Sequence, residues 1–194
     1  SARDIVKCLE SLLAQSHPVE KIVVVDNGSS DGTPDLVAER FPKVLLKRLQ
    51  ENAGFAGGNN IGIKATDTEW VLTLNPDAYL AGDFVERLLE FSQNQPRIGM
   101  LGGKLLRAES KGDQIVDSTG IEIYQSRRVK DRDAGVREQD AHKVPDRVFG
   151  VCAAAALYRR EMLEDVSADG EFFPASFFCY YEDADLAWRA WRRG

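Results

Sequence analysis

The sequence predicts a single α/β domain in which helices cover a mostly parallel central sheet. Short runs of β-branched and apolar residues alternate along the chain with segments whose apolar residues recur at helical spacing. Several of these runs are apolar at consecutive positions, which is typical of strands that are buried on both faces. A length of 194 residues is also enough for one domain with a substantial hydrophobic core.

The composition argues against several classes of protein. A formal net charge of −6 argues against non-specific binding to nucleic acid. No apolar run approaches the ~18 residues that would span a membrane. Cys8, Cys152 and Cys179 have neither the spacing of a zinc site nor an even count, so we expect buried free thiols. His17 and His142 are isolated in the sequence, which gives no support to a Ser-His-Asp hydrolase.

The first half of the chain alternates between predicted helices and strands. Apolar residues at helical spacing predict a helix over residues 2–15. The β-branched run 22–25 predicts a strand, and a helix over 34–41 should follow because proline is favoured at the first helical position. Residues 44–49 and 70–74 are further apolar runs of strand length. Strand, helix and strand in this order indicate a parallel sheet.

The second half carries weaker signals. An amphipathic helix is predicted over about 83–93, and a strand broken by glycines over 98–106. Residues 125–145 are rich in charged residues and poor in large apolar ones, so we predict a mobile surface loop there. The remaining predicted elements are a short strand, an ordered segment of small residues and two helices: 121–124, 147–158, 159–166 and 183–191. The aromatic residues between 172 and 181 are expected to be mostly core.

Polar residues follow the first predicted strand at the end where α/β sheets bind ligands. Asp26 and Asn27 come directly after the run 22–25. A carboxylate and an amide at this place could form hydrogen bonds with a base or a ribose. They could equally build a turn and nothing more, because Asp, Asn, Gly and Ser dominate turns. This segment by itself leaves both interpretations open.

Two further segments are candidates on similar grounds. Residues 51–62 contain four glycines and three asparagines, so the backbone can approach a ligand closely. A helix that begins near Gly57 would also present free N–H groups. Asp77 follows the predicted strand and Pro76, and a carboxylate there can hold a divalent cation against a diphosphate. A tight loop and an Asn-Pro-Asp turn without a ligand are the structural alternatives.

Three acids stand at the start of the last predicted helix: Glu182, Asp183 and Asp185. Acids in the first turn stabilise a helix through its dipole. Three of them exceed what capping requires, and burial beside the neighbouring aromatics would raise the pKa of a carboxyl toward a value useful for a general base. We therefore favour a general base among the three.

Five motifs in order give the sequence a specific resemblance to a known family. They are VVVDNGSSDGT, NAGFAGGNNIG, LNPDA, the segment 149–160 and YEDADLAWR. With these motifs the chain resembles the family 2 inverting glycosyltransferases of the A-type nucleotide-diphospho-sugar fold, and among them the bacterial rhamnosyltransferase-like enzymes. The resemblance implies one Rossmann-like domain over residues 1–194. Its nucleotide-binding half would cover about 1–106 and its acceptor-side half about 107–194.

The resemblance also implies roles for individual residues. Seven would contact the nucleotide or line its pocket: Asp26, Asn27, Asn52, Gly54, Gly58, Asn59 and Asn75. Asp77 would be the main protein ligand of a Mg²⁺ or Mn²⁺ ion, in a motif whose first acid is replaced here by Asn75. Three would serve catalysis: Asp183 as the base, with Glu182 and Asp185 in support.

The implied activity is the transfer of a sugar, with inversion, from a nucleoside-diphosphate donor. The subgroup implies dTDP-rhamnose as the donor, with a UDP-hexose as the alternative. The implied acceptor is a polysaccharide or lipid-linked glycan of the bacterial cell surface. With such an acceptor, we expect the protein to lie in the cytoplasm and to contact the inner membrane peripherally. No nucleic-acid partner is expected.

Two departures from the family leave other functions open. The family's first strand would lie before Ser1, and a histidine that completes its metal site would lie beyond Gly194. A sheet without a central strand has two unpaired edges, so pairing with a second copy is a hypothesis. A catalytically inactive nucleotide-sugar-binding or assembly domain is the alternative function. A nucleotidyltransferase is a weaker alternative, because its glycine-rich, lysine-bearing signature is lacking.

Overall fold

The structure, a computed structural model, describes residues 2–108 and 112–194. Its helices are α1 (Ala2–Leu13), α2 (Thr33–Arg40), α3 (Gly54–Lys64), α4 (Phe84–Ser92), α5 (Arg160–Asp165) and α6 (Glu182–Arg193). Its strands are β1 (Val23–Asp26), β2 (Leu45–Arg48), β3 (Trp70–Leu74), β4 (Met100–Gly102), β5 (Leu105–Leu106), β6 (Val116–Ser118), β7 (Ile121–Ile123), β8 (Val129–Asp131) and β9 (Ala155–Arg159). Most predicted elements are confirmed with small shifts of their bounds, although α3 begins at Gly54 instead of near Gly57.

The apolar residues that recur along α1 are buried in the hydrophobic core. Ile5, Leu9 and Leu12 recur at helical spacing in α1, and each is at most 9% exposed. They form one core cluster with Val37 and Phe41 at the second helix. Burying each such side chain contributes roughly 1.5–3 kcal/mol. None of the described helices has both the length and the apolar character that crossing a membrane requires.

The α/β class is confirmed, but the sheet is mixed and not mostly parallel, which corrects one part of the prediction. β1 and β2 pair in parallel, with Val23 opposite Leu45. β9 lies between β3 and β4 and is antiparallel to both. β3 and β4 are therefore parallel to each other, as a connection through α4 permits. The prediction failed because a local apolar pattern carries no information about a strand inserted from far along the chain.

An apolar cleft separates β1 from β3. Among the described residues no backbone pairing joins these two strands, since β1 pairs with β2 and β3 pairs with β9. The cleft has a volume of about 600 Å³, and its walls include Ile5, Leu9 and Val85 from α1 and α4. The predicted unpaired edges are thus present. Pairing with a second copy stays a prediction.

The charged segment 125–145 is more than a surface loop, which is a second correction. Part of it forms β8, which pairs with β7. Arg132 is only 9% exposed, and its guanidinium donates to the hydroxyl and the carbonyl oxygen of Thr119, each at 3.0 Å. It also forms an ion pair with Asp146 at 3.3 Å. A buried cation needs such partners, and they lie too far along the chain for local sequence reasoning to find.

Two smaller expectations also change. The predicted strand 98–106 is divided into β4 and β5 around Gly103, which packs directly against the ring of Phe84 and leaves no room for a Cβ.

The cysteines are free, as predicted, but they are not all buried. Cys8 is buried and Cys179 is exposed. The exposure of Cys179 follows from the position of its segment, which lies at the surface before α6.

Candidate functional site

The last residue of β1 and the first residue of the turn after it are the first two predicted nucleotide residues. Asp26 is 8% exposed, and its Oδ1 accepts the N–H of Ser29 at 3.3 Å. The side chain of Asn27 accepts the N–H of Ala53 at 2.8 Å and donates to the carbonyl oxygen of Gly54 at 2.9 Å. Asn27 therefore ties the end of β1 to the start of α3. Contact of these two residues with a nucleotide stays a prediction.

The start of α3 has an unusual backbone. Oδ1 of Asn52 accepts the N–H of Gly54 at 2.9 Å, and Gly54 has a φ of +73°. A Cβ at Gly54 would lie 2.5 Å from the carbonyl oxygen of Phe178. Only glycine satisfies both conditions. Gly58, one turn later, packs beside Asn27, where a Cβ would lie 3.5 Å from the amide nitrogen.

We predict that Gly54→Ala destabilises the protein by about 1–3 kcal/mol, because alanine is strained at positive φ and its methyl group would collide with Phe178. Gly62→Ala is the matched control in the same helix. A Cβ at Gly62 makes an ordinary contact with Val25 at 3.5 Å, so alanine there should be neutral or slightly stabilising. Denaturant unfolding measures both variants. Equal stabilities would contradict the close contact between α3 and Phe178.

Asn60 is a residue that the sequence analysis missed, although its neighbour Asn59 was predicted to line the nucleotide pocket. Asn59 donates to the carbonyl oxygen of Phe55 at 3.0 Å within α3. Asn60 is 5% exposed. It donates to the carbonyl oxygen of Phe173 at 2.6 Å and accepts the N–H groups of Phe172 and Phe173 at 3.0 Å. It thus fastens α3 to the segment before α6. Two adjacent asparagines in a predicted helix were the available signal, because asparagine is a weak helix former.

The turn after β3 carries Asn75 and Asp77, as predicted. The N–H of Asn75 donates to the carbonyl oxygen of Ala154 at 2.8 Å, which joins this turn to the segment before β9. Asp77 is exposed. Burial, followed by the charge of Asp77, raises the pKa of the Cys8 thiol to about 11. Asn75 and Pro76 of this turn line the cleft between β1 and β3.

The donor atoms at this turn suit a metal ion that is shared with a ligand. No group of three or more His, Cys, Asp or Glu side chains within residues 2–108 and 112–194 could hold a metal ion. The turn after β3 offers one exposed carboxylate, that of Asp77, and the side-chain amide of the nearby Asn75. Mg²⁺ commonly takes one or two carboxylates from the protein and completes its shell with phosphate oxygens and water. The residues present therefore fit a cation held jointly with a diphosphate.

Asp183 lies in the first turn of α6, and both of its carboxylate oxygens are held by backbone N–H groups. Oδ1 accepts from Ala184 at 2.8 Å and Oδ2 accepts from Ala153 at 3.4 Å. Burial raises the pKa of Asp183 above its usual value; the two N–H groups oppose this rise and the charge of Asp131 adds to it. A fixed carboxylate with a raised pKa has the properties of a general base.

The other two acids of α6 have different surroundings. Glu182 is 5% exposed, and burial raises the pKa of its carboxyl, with a further contribution from the charge of Asp183. Asp185 accepts from Nε of Arg189 at 2.8 Å. Arg189 also donates to the carbonyl oxygen of Phe172 at 2.6 Å. Asp185 therefore orients an arginine that anchors α6, and its support of Asp183 stays a prediction, as does that of Glu182.

The aromatic segment before α6 is divided between core and surface. Phe173 is fully buried, whereas four aromatic side chains are 40–77% exposed: Phe177, Phe178, Tyr180 and Tyr181. The last three of these have φ values between 57° and 73°, which is uncommon for bulky residues. The expectation of a mostly core segment is therefore wrong for its second part.

Contacts between these segments bring the candidate residues of β1, β3 and α6 into one region. The N–H of Ala56 in α3 donates to the carbonyl oxygen of Phe178 at 3.3 Å, just before α6. Residues 153 and 154 connect Asp183 to Asn75 through the hydrogen bonds given above. Five predicted nucleotide residues line the cleft between β1 and β3: Asn27, Gly54, Gly58, Asn59 and Asn75. A larger cavity of about 1610 Å³ beside α4 and β4 contains none of the predicted site residues.

Comparison with known proteins identifies one matching family and several proteins of similar sequence. Residues 1–167 match the family described as Glycosyl transferase family 2. Succinoglycan biosynthesis protein ExoO of Rhizobium meliloti is 41% identical over 91 residues, which are 46% of this chain and 26% of that protein. An N-acetylglucosaminyl-diphospho-decaprenol L-rhamnosyltransferase of Mycobacterium tuberculosis is 34% identical over 101 residues, which are 46% of this chain and 33% of that protein. The matched part thus spans a third or less of the length of these relatives.

Solved structures show the same fold. Residues 1–349 of S. aureus TarS align with a TM-score of 0.67 at 20% identity, over 97% of this chain and 51% of that chain. The mannosyltransferase PcManGT from Pyrobaculum calidifontis, in complex with GDP-Man and Mn²⁺, aligns with a TM-score of 0.65 at 21% identity, over 98% of this chain and 48% of that chain. These likenesses confirm the predicted A-type glycosyltransferase fold.

Proposed function

The chain belongs to glycosyl transferase family 2, and from that premise we propose that it transfers a sugar from a nucleoside-diphosphate donor to a hydroxyl acceptor, with inversion. The observation that carries the proposal is the environment of the Asp183 carboxylate. Its carboxylate is partly buried, held by two backbone N–H groups and raised in pKa. The same region contains the polar residues that follow β1 and β3, where open α/β sheets bind their ligands.

Asp183 is the general base in this mechanism. It takes the proton of the acceptor hydroxyl while the hydroxyl oxygen forms a bond to the anomeric carbon of the sugar. The bond from that carbon to the diphosphate oxygen breaks on the opposite face, and the nucleoside diphosphate leaves with the electron pair. A single displacement of this kind inverts the anomeric carbon, and it needs no covalent intermediate with the protein.

The residues after β1 and β3 orient the donor. Asp26 and Asn27 contact the base and ribose, and the bonds from Asn27 to the start of α3 hold this turn in place. Asp77 and the nearby Asn75 would hold a divalent cation, which would supply positive charge against the departing diphosphate. The neighbour PcManGT, which is in complex with GDP-Man and Mn²⁺, supports a nucleotide sugar and a cation as the ligands of this fold.

We further propose dTDP-rhamnose as the donor and a lipid-linked or cell-surface glycan as the acceptor. The similarity to an L-rhamnosyltransferase supports the sugar, and the similarity to a succinoglycan biosynthesis protein supports a polysaccharide product. A UDP-hexose is the alternative donor, which the neighbour TarS in complex with UDP supports. We propose a cytoplasmic location with peripheral contact to the inner membrane, where such an acceptor would be met.

Calorimetric titration of dTDP and UDP, with and without Mn²⁺, is the first test. Metal-dependent binding of one nucleotide is expected, and the preferred base then selects the sugar nucleotide for a transfer assay. The anomeric configuration of the product, determined by NMR, tests inversion. Binding without any turnover would favour the inactive nucleotide-sugar-binding domain. Binding of neither nucleotide would contradict the proposal for this chain.

A further inference from the structure

The segment before α6 contains a short turn in which exposed aromatic rings coincide with an uncommon backbone. We call residues 177–181 the aromatic turn. Phe178 has φ and ψ angles of 57° and −59°, and the N–H of Cys179 donates to the carbonyl oxygen of Phe177, which is a γ-turn of the rare and strained kind. Tyr180 and Tyr181 follow with φ values of 73° and 68°. Bulky residues seldom adopt such angles, so this backbone needs an explanation.

Packing in the core does not explain the aromatic turn. Phe178 is 52% exposed, Tyr181 is 60% exposed and Tyr180 is 77% exposed. Single exposed apolar residues are ordinary, but several that lie together mark a surface that meets a ligand or a partner. The turn therefore holds strained residues whose rings contribute little to the hydrophobic core.

Hydrogen bonds on both sides hold the aromatic turn in this conformation. Before it, Oε2 of Glu171 accepts the N–H of Ala175 at 2.8 Å. At its end, the carbonyl oxygen of Tyr181 accepts the N–H of Asp185 at 2.9 Å. Strained backbone conformations persist only where the surrounding structure determines them, and they concentrate at sites that bind ligands. The turn is therefore a preformed surface, and its rings are presented at fixed places.

The aromatic turn lies between the predicted donor residues and the candidate base. A Cβ at Gly54 would lie 2.6 Å from Cδ2 of Phe178, so the Phe178 ring covers the start of α3 beside the cleft that Gly54 lines. Tyr181 stands two residues before Asp183, and the reach of the chain keeps their Cα atoms within about 7 Å of each other. An acceptor whose hydroxyl meets Asp183 therefore has this turn as its neighbour.

The chemistry of the segment favours a neutral sugar over an anion. Residues 171–185 carry four acids and neither lysine nor arginine, which disfavours a phosphate or a nucleotide at the turn. Arg189, one turn further along α6, is held by Asp185 and by the carbonyl oxygen of Phe172. A sugar ring is uncharged. Its C–H groups pack against the negative face of an aromatic ring, and its hydroxyl groups donate to carboxylates.

We propose that the aromatic turn is the sub-site for a pyranose ring of the acceptor glycan, with Tyr180 and Tyr181 supplying the aromatic faces. The rings hold the C–H face of the sugar, while the hydroxyl that reacts meets the carboxylate of Asp183. This inference rests on the proposed function and deepens it, because it names the residues that bind the acceptor.

Saturation-transfer difference NMR tests the sub-site without turnover. The probes are methyl α-L-rhamnopyranoside, methyl β-D-glucopyranoside and methyl N-acetyl-β-D-glucosaminide. Saturation should reach the ring C–H protons of at least one of them, and the double variant Tyr180→Ala with Tyr181→Ala should lose it. Tyr124→Ala is the matched control, because it removes a tyrosine ring that is 47% exposed elsewhere on the surface. No transfer to any of the probes, or transfer that persists in the double variant, would overturn the proposal.

Glycine variants separate the rings from the backbone. Tyr180→Gly and Tyr181→Gly each remove a ring and also relieve strain, because glycine adopts positive φ freely. We expect both variants to unfold at the same denaturant concentration as the unchanged protein or at a higher one, and each to reduce the saturation transfer. Full saturation transfer in both glycine variants would contradict the role of these rings.

Failure of this inference and failure of the proposed function give different results. The NMR experiment needs no nucleotide, whereas titration of dTDP and UDP tests the donor site. Nucleotide binding without any contact to the glycosides would overturn the sub-site and leave the proposed transfer standing. Glycoside contact without nucleotide binding would contradict the proposed function, while the aromatic turn would remain a sugar-binding site.

Discussion

Asp183→Asn is expected to lower sugar transfer by about 10²- to 10⁴-fold, because it removes the general base. Asparagine has nearly the same shape and can keep the 2.8 Å hydrogen bond from Ala184. The bond that it gives up is the longer one from Ala153, at 3.4 Å. Nucleotide binding should persist, because Asp183 is not among the residues proposed to hold the donor. The measurement is kcat at saturating donor, together with calorimetric titration of the nucleotide.

The stability of Asp183→Asn serves as an internal check. A neutral amide avoids the burial of a charged group, so the variant should be at least as stable as the unchanged protein. Asp67→Asn is the matched control, because its side chain is 91% exposed and lies at the opposite end of β3 from the candidate site. Full activity in Asp183→Asn would remove this residue from the role of base. An equal loss in Asp67→Asn would assign the effect to net charge.

Asp77→Ala is expected to weaken Mn²⁺-dependent nucleotide binding by about 100-fold, because the cation loses its main protein ligand while its phosphate ligands remain. Binding without Mn²⁺ should be the same in the variant and the unchanged protein. Calorimetric titration with and without the metal separates these two quantities. The fold should be unaffected, since Asp77 is exposed.

Asp67→Ala is the control for this second substitution. Both aspartates are exposed carboxylates that flank β3, but Asp67 precedes the strand and Asp77 follows it. We expect Asp67→Ala to leave metal-dependent binding intact. Metal-dependent binding that survives Asp77→Ala would show that the cation is held elsewhere. The proposed base would then stand without the proposed metal ligand.

Local patterns in the sequence were sufficient for the individual elements and for the positions of several candidate residues. Apolar spacing predicts α1, and a β-branched run predicts β1, because burial of one helical face or of both strand faces leaves a direct mark on the sequence. The turns after β1 and β3 are equally visible, since they use residues with special backbone preferences. Asp77 therefore follows β3, as the sequence predicts, whereas Asp26 is the last residue of β1 and not the first residue after it. The family could be recognised because these local signals come in a specific order.

The sequence by itself thus determined the α/β class, most of its elements and the candidate residues of the strand ends. Only the tertiary structure decided how they meet: β9 inserts between β3 and β4, and Asn60 bonds to residues 112 and 113 positions away. The physical reason is that such contacts depend on which distant surfaces pack together. Propensity and periodicity report the surroundings of a residue only over its own helix or strand.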